Sequence, residues 1–317
     1  MNSVGRYGSY LIKTHENQSE EGVRTGVASA VLAFSLWGAF PIYFKLAEGV
    51  SAPEMLLHRI VWAVPFGALI ILARRQWPDV KRAFADRRTF GFLTLSALTI
   101  SGNWLVYTWA VQNEQIFQAS LGYYINPLML VLVGFLFMGE RLRRMQVGAV
   151  LLAAVGVAIL TISGGEFPLI SITLATSFTI YGVIRKQVVV GAMPGLFVET
   201  LVLFPVAAVL LGMMIGSGTS PFSAENPTMV GLLLLGGPLT VLPLLFFSFA
   251  ARRLRLSTIG FLQFIGPTGQ FLVGYYYGEV LTVPHLICFG FIWTAVALFI
   301  FDALWSGKRT PVPIQEL

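Results

Sequence analysis

Apolar runs of about twenty residues recur along almost the whole chain, separated by short polar connections. That recurrence leaves few folds open. Of the 317 residues, 56% are hydrophobic and only 11% are charged, against about 25% charged in soluble domains. A soluble protein of this size has too much surface to hide so many apolar side chains. Lipid accepts them, but a bilayer core offers no water to unpaired backbone N–H and C=O groups, so only helices or a closed barrel can cross it. The runs lack strict alternation, which excludes barrel strands and predicts an all-α polytopic membrane protein. Ten spans are expected, at 25–46, 53–73, 90–111, 119–138, 145–163, 168–184, 193–215, 228–250, 256–277 and 283–305. The sixth and ninth carry polar or glycine positions that make them the least apolar.

The basic residues test that layout. With the N-terminus in the cytoplasm, every Lys and Arg except Lys45 and Arg59 falls in a tail or connection on the cytoplasmic side. The 74–89 connection alone holds Arg74, Arg75, Lys81, Arg82, Arg87 and Arg88. The outer connections hold Glu48, Glu114, Glu166, Glu225 and Glu279 instead. A wrong span count would scramble this alternation, so the positive-inside rule supports ten spans with both termini cytoplasmic. The formal charge of +6 is thereby explained by topology and needs no nucleic-acid partner. Residues 1–24 are polar, without the apolar core of a secretory signal, and are expected to form a flexible cytoplasmic tail. Residues 306–317 form a short basic C-terminal tail. The one cysteine, Cys288, lies in an apolar run and is expected to pack there, excluding a disulfide framework.

The two halves resemble each other. Tyr124-Ile125-Asn126-Pro127 in the fourth span matches Phe264-Ile265-Gly266-Pro267 in the ninth, and each is followed by Gly-Glu, at Gly139-Glu140 and Gly278-Glu279. Trp37-Gly38 precedes Lys45 as Tyr181-Gly182 precedes Arg185 and Lys186. Pro53 leads His58 by five residues, and Pro194 leads Glu199 by five. The offset is five spans, an odd number, so the second copy enters the membrane inverted. Two inverted five-helix repeats, 25–163 and 168–305, are the architecture of many secondary transporters.

Longer motifs carry a family resemblance. Ser35-Leu36-Trp37-Gly38, Tyr43-Phe44-Lys45, His58-Arg59, Gly102-Asn103-Trp104, the run from Ala119 to Leu128, and Gly139-Glu140-Arg141 belong to it. So do Tyr181-Gly182 with Arg185-Lys186, Arg253-Leu254-Arg255-Leu256-Ser257-Thr258, and Gln263 with Ile265-Gly266-Pro267. Together they resemble RarD-type proteins, of the EamA group in the drug/metabolite transporter superfamily, over about residues 25 to 305. The resemblance implies ten helices in two EamA repeats, a bacterial plasma-membrane location and permease activity. It implies no substrate.

Charges inside hydrocarbon are costly and mark candidate sites. Lys45 and Glu54 flank a short connection and either pair across it or serve the site. Arg59 lies six residues beyond Pro53, about 9 Å into its span. It either binds an anionic group of the solute through paired N–H donors or fastens its helix to a neighbour's carbonyls. His58, a further candidate for binding the solute, shares a face with Glu54, a candidate coupling group four residues away, while Arg59 points elsewhere. Glu199 occupies the place of His58 in the second half and either carries a proton or pairs with Arg185 or Lys186. Asn103, beside Trp104 and Tyr107, and Gln263 combine an amide with aromatic rings, as a pocket for a small amphipathic solute requires. Hydrogen bonding between helices is the alternative use of such amides. Tyr124 and Asn126 belong to the same candidate pocket, although Asn126 is equally placed to answer the carbonyl freed by Pro127. Pro127 and Pro267 are expected to mark matched kinks that bend during gating.

Other functions fit less well. There is no HExxH, no Gly-x-Ser-x-Gly, no Walker A loop and no cluster of histidines, so neither an enzyme, a metal site nor a cofactor is expected. No filter loop or charged ring suggests a channel, and no soluble output domain suggests a sensor. The expected partners are a small solute and the bilayer. Small residues Ala149, Ala153, Ala154 and Ala158 permit tight packing in a monomer or a homodimer.

Overall fold

The computed structural model describes residues 4–138, 143–164, 167–222, 226–251, 253–254, 258–259 and 262–307. Glu140 and Arg141 of the first Gly-Glu motif, the Glu166 and Glu225 positions, Arg252, Arg255 and the 308–317 part of the C-terminal tail lie outside them. Among the described residues there is no strand. Eleven helices are bounded: α1 (Val4–Leu46), α2 (Ala52–Ala73), α3 (Trp77–Ala85), α4 (Arg87–Gln112), α5 (Ile116–Met138), α6 (Arg144–Gly164), α7 (Leu169–Lys186), α8 (Ala192–Gly216), α9 (Pro227–Ala251), α10 (Ile265–Tyr276) and α11 (Val283–Gly307). Among the described residues, seven stretches are long and apolar enough to cross a membrane, in α1, α2, α4, α6, α8, α9 and α11.

Each expected span contains a helix, with three differences. α1 continues back to Val4, so most of the segment expected as a flexible tail extends the first helix; its apolar part is Gly22–Leu46. α10 begins only at Ile265, well inside the window of the ninth span. Pro267 sits in its first turn, where a missing N–H forfeits no helical hydrogen bond, so a helix start is the natural place for it. Pro127, by contrast, lies inside α5. The pair expected as matched kinks therefore occupies unlike positions. The third difference is α3, a nine-residue helix in the basic 74–89 connection. Pro78 lies in its first turn, and Asp79 pairs with Arg82 at 2.5 Å one turn on. Its Val80 and Ala83, three apart, are buried while Lys81 and Arg82 face outward.

Local signals set several ends. Ser51 caps α2 by accepting the Glu54 amide at 3.4 Å, and Asp86 caps α4 by accepting the amides of Arg88 and Thr89 at 3.3 and 3.1 Å. Prolines also lie inside α1, α2, α8 and α9 (Pro41, Pro65, Pro205, Pro238, Pro243), as membrane helices tolerate when neighbours satisfy the freed carbonyls.

Helix contacts follow a simple scheme. α1 lies against α9 and α10, and α7 lies against α4 and α5. α2 meets α8, and α6 meets α11. Glycine permits the close seams. A Cβ at Gly38 of α1 would sit 3.1 Å from the Gly266 carbonyl oxygen, and one at Gly122 of α5 would sit 2.8 Å from that of Ser171 in α7. Ser120 of α5 donates to the Pro267 carbonyl at 2.8 Å, joining α5 to α10.

Candidate functional site

Arg59 is 3% exposed, in the second turn of α2. Three aromatic faces surround its guanidinium: Trp104 of α4 at 4.8 Å, and Phe40 and Phe44 of α1, each at 5.5 Å. Such contacts compensate part of the cost of burying the charge. Its Nε donates to the Thr240 hydroxyl of α9 at 3.1 Å, and that hydroxyl donates onward to the Gly236 carbonyl at 2.8 Å. Arg59 Nη1 is buried without a hydrogen-bond partner, and so are the hydroxyls of Tyr43 and Tyr107. The charge of Arg59 interacts with both tyrosines and with Tyr123. A Cβ placed on Gly236 would lie 2.9 Å from the Tyr43 hydroxyl and 3.1 Å from Arg59 Cγ, so these groups meet over a bare stretch of α9. The cluster lies where α1, α2, α4 and α9 come together.

His58 and Glu54 face another way, as their spacing predicts. Glu54, 2% exposed, accepts from the Ser220 hydroxyl, which reaches in from the connection after α8. Its carboxylate lies 3.8 Å from His58 Nε2, and His58 Nδ1 accepts the Trp62 indole N–H at 3.1 Å. Phe222 covers the imidazole with ring centres 5.0 Å apart. The expected Lys45–Glu54 pair is not formed: Lys45 lies 5.9 Å above the Tyr277 ring instead.

Glu199 of α8 is 1% exposed and well partnered. It accepts from Ser96 of α4 at 2.5 Å and from Tyr181 of α7 at 3.4 Å, and it lies 3.6 Å from Arg185 Nη1. The pairing with Arg185 is thus present, and the carboxylate ties three helices together.

The amides have unlike surroundings. Asn103 donates to the Leu174 carbonyl at 3.1 Å and to Ser177 at 2.9 Å, and accepts from Tyr123 at 3.2 Å. Its polar groups join α4, α5 and α7. Its neighbours Trp104 and Tyr107 do join Arg59. Tyr124 points to the opposite side of α5, bonded to Thr268 at 2.7 Å and stacked on Phe264. Asn126 is 6% exposed, its Nδ2 without a partner. Gln263 lies in the turn before α10, where its backbone carbonyl accepts from Gly266 at 3.2 Å; among the described residues it makes no hydrogen bond to the Arg59 group. Phe40 and Thr240 carry no sequence signal of their own, and Tyr43 and Phe44 enter the sequence reading only within a family motif. Phe40, Tyr43 and Phe44 follow helical spacing of one face, a signal that becomes specific only once that face is known to meet Arg59.

The EamA-like transporter family matches residues 24–162. Protein RarD of Salmonella typhi is 45% identical over 287 residues, covering 90% of this chain and 98% of that protein. Protein RarD of Escherichia coli is 44% identical, covering 90% and 97%. The chain belongs to the RarD-type branch of the EamA-like transporter family. It is therefore a multi-pass bacterial inner-membrane protein and a membrane transporter of the drug/metabolite superfamily. An uncharacterized transporter of Bacillus subtilis, YojE, is 40% identical over 88% of this chain and 94% of its own length. A solved crystal structure 18% identical to this chain has the same fold, with a TM-score of 0.59 over 89% of this chain and 99% of that one.

Proposed function

We propose that the chain is a secondary permease that moves a small organic solute by alternating access between two inverted five-helix halves, residues 25–163 and 168–305. The observation that carries this reading is the exchange of helix contacts. If α1, α2, α4, α5 and α6 correspond to α7, α8, α9, α10 and α11, the contacts of α1 with α9 and α10 become those of α7 with α4 and α5. The α2–α8 and α6–α11 contacts map onto themselves. A pseudo-twofold of this kind gives two related openings around one central site. The family match ends at residue 162, near the proposed boundary between the halves. The distribution of Lys and Arg supports ten crossings with both termini in the cytoplasm.

In this reading the solute is recognised at Arg59, Trp104 and Tyr107. Glu54 with His58 near the outer ends of the helices, and Glu199 near the inner ends, are the groups available for proton coupling. Pro127 and Pro267 are the sites of bending, one inside its helix and one at a helix start. The test is uptake into proteoliposomes holding the purified protein, with a panel of amino acids, organic acids and small drugs, with and without an imposed pH gradient. Saturable uptake of one solute class is the expected outcome, and stimulation by the gradient supports the coupling role. Uptake equal to that of empty vesicles for every class, from folded and correctly inserted protein, counts against a permease.

A further inference from the structure

The Arg59 cluster has an electrostatic imbalance that restricts what it can bind. Among the described residues the buried carboxylates are engaged elsewhere: Glu54 with Ser220 and His58, Glu199 with Ser96, Tyr181 and Arg185, Asp302 with Arg143. None forms an ion pair with Arg59. A full positive charge thus lies inside the bundle with one neutral hydroxyl as hydrogen-bond acceptor. An unpaired buried charge is among the costliest features a fold can carry.

The polar atoms left over can all donate a hydrogen bond. A guanidinium only donates, so Arg59 Nη1 requires an acceptor. The Tyr43 and Tyr107 hydroxyls are each buried without a partner and each has a proton to give. These residues are 3%, 7% and 3% exposed, well away from bulk solvent. The remaining walls are the rings of Phe40, Phe44 and Trp104.

We infer that the solute held at this point is a small organic anion, a monocarboxylate on an apolar or aromatic body, with its oxygens taking hydrogen bonds from Arg59, Tyr43 and Tyr107. This rests on the reading of the Arg59 cluster as the transport site. The chemistry selects within the anions. A cation is repelled, and a neutral amide brings donors of its own and leaves the charge uncompensated. A phosphate carries more negative charge than one arginine balances. A carboxylate supplies one unit of charge and two oxygens that accept several hydrogen bonds. It leaves the occupied site neutral, which lowers the cost of carrying it through the bundle. The three rings then cover the body of the solute, and one of them must swing aside to admit it.

The experiment is equilibrium binding to the full-length protein in lipid nanodiscs, read by tryptophan fluorescence, to which Trp104 contributes. The probes are benzoate, hexanoate, benzamide and chloride. Benzoate and hexanoate are expected to bind saturably, and benzamide at least about tenfold more weakly, as for loss of a charge-assisted contact. Tyr43→Phe and Tyr107→Phe are each expected to weaken benzoate about tenfold, and Arg59→Gln to abolish its binding. If Arg59→Gln melts abnormally, Arg59→Lys keeps the charge without the planar fork and is expected to bind weakly, and the double tyrosine variant carries the same test. Equal binding of benzamide and benzoate, binding of chloride alone, or benzoate binding unchanged in the variants would overturn the inference. Flux of the same probes separates the two readings. Carboxylate binding without any flux keeps the anion site and removes the permease. Arg59-independent flux of neutral or cationic solutes keeps the permease and removes the anion site.

Discussion

Arg59 and Glu199 are buried charges in the second turns of α2 and α8, and they are treated in opposite ways. Glu199 is closed off: a serine, a tyrosine and an arginine from α4 and α7 occupy its carboxylate. Arg59 has one hydroxyl partner, three ring faces, and a nitrogen with nothing to bond. The contrast teaches how to tell a tying charge from a binding one. Burial alone does not distinguish them, since both are at most 3% exposed. The completeness of the partner set does, because a buried polar group without a partner is costly and Arg59 carries a full charge in that condition.

The strongest way to break the comparison is Arg59→Gln. It is expected to reduce uptake of the transported solute about a thousandfold, the scale for removing one partner of a desolvated charge contact. Unchanged uptake in proteoliposomes would place Arg59 among the tying charges. Glu199→Ala is expected to act on stability, since it strands Arg185 and removes three contacts at once. A loss of about 3 kcal/mol, measured by unfolding in detergent, is the scale for breaking a buried pair. Wild-type stability with abolished pH-gradient stimulation would instead make Glu199 a proton carrier and blur the contrast.

Smaller changes sharpen it. Asn103→Ala is expected to cost about 1 kcal/mol of stability, typical of interhelical hydrogen bonds in membranes, with a modest effect on solute affinity. A larger loss in affinity than in stability would return Asn103 to the pocket. Glu279 offers the mildest test, in a connection rather than a span. Its carboxylate accepts the amides of Ile116 and Phe117 at 2.7 and 3.0 Å, capping α5 from the turn after α10. Burial nevertheless raises its pKa to about 7, against those two hydrogen bonds and the attraction of Lys45. The folded state therefore binds the proton more tightly than the unfolded chain does. Stability is expected to fall as pH rises from about 4.5 to about 7 and to level off above. Glu279→Gln should flatten that slope in melting curves taken across this range. An unchanged slope would assign it to another group.

Much of the site lay within reach of the sequence, in an uneven way. Arg59 stands out because a charge about 9 Å into an apolar span is costly and needs a partner, whether a solute or a neighbouring helix. Glu199 and its Arg185 partner were legible for the same reason. Asn103, Gln263 and Tyr124 were chosen by residue type, and type does not tell which face of a helix meets which neighbour. Asn103 is consumed by α5 and α7, and Tyr124 faces α10 and α11. Tyr43 is marked in the sequence only as part of a family motif, because a tyrosine in a membrane helix is ordinary until its hydroxyl is found buried without a partner.

What the sequence determined by itself is what hydropathy and charge placement dictate. The chain is helical, repeatedly apolar over membrane length, and carries a few costly charges, because lipid penalises every exposed polar group at each position independently. Only the tertiary structure decided which of those charges are answered. A buried carboxylate or guanidinium draws on partners more than a hundred residues away, as Glu199 does on Ser96 and Arg59, in part, on Thr240. Such partners are set by how the helices pack against one another, which no local pattern encodes.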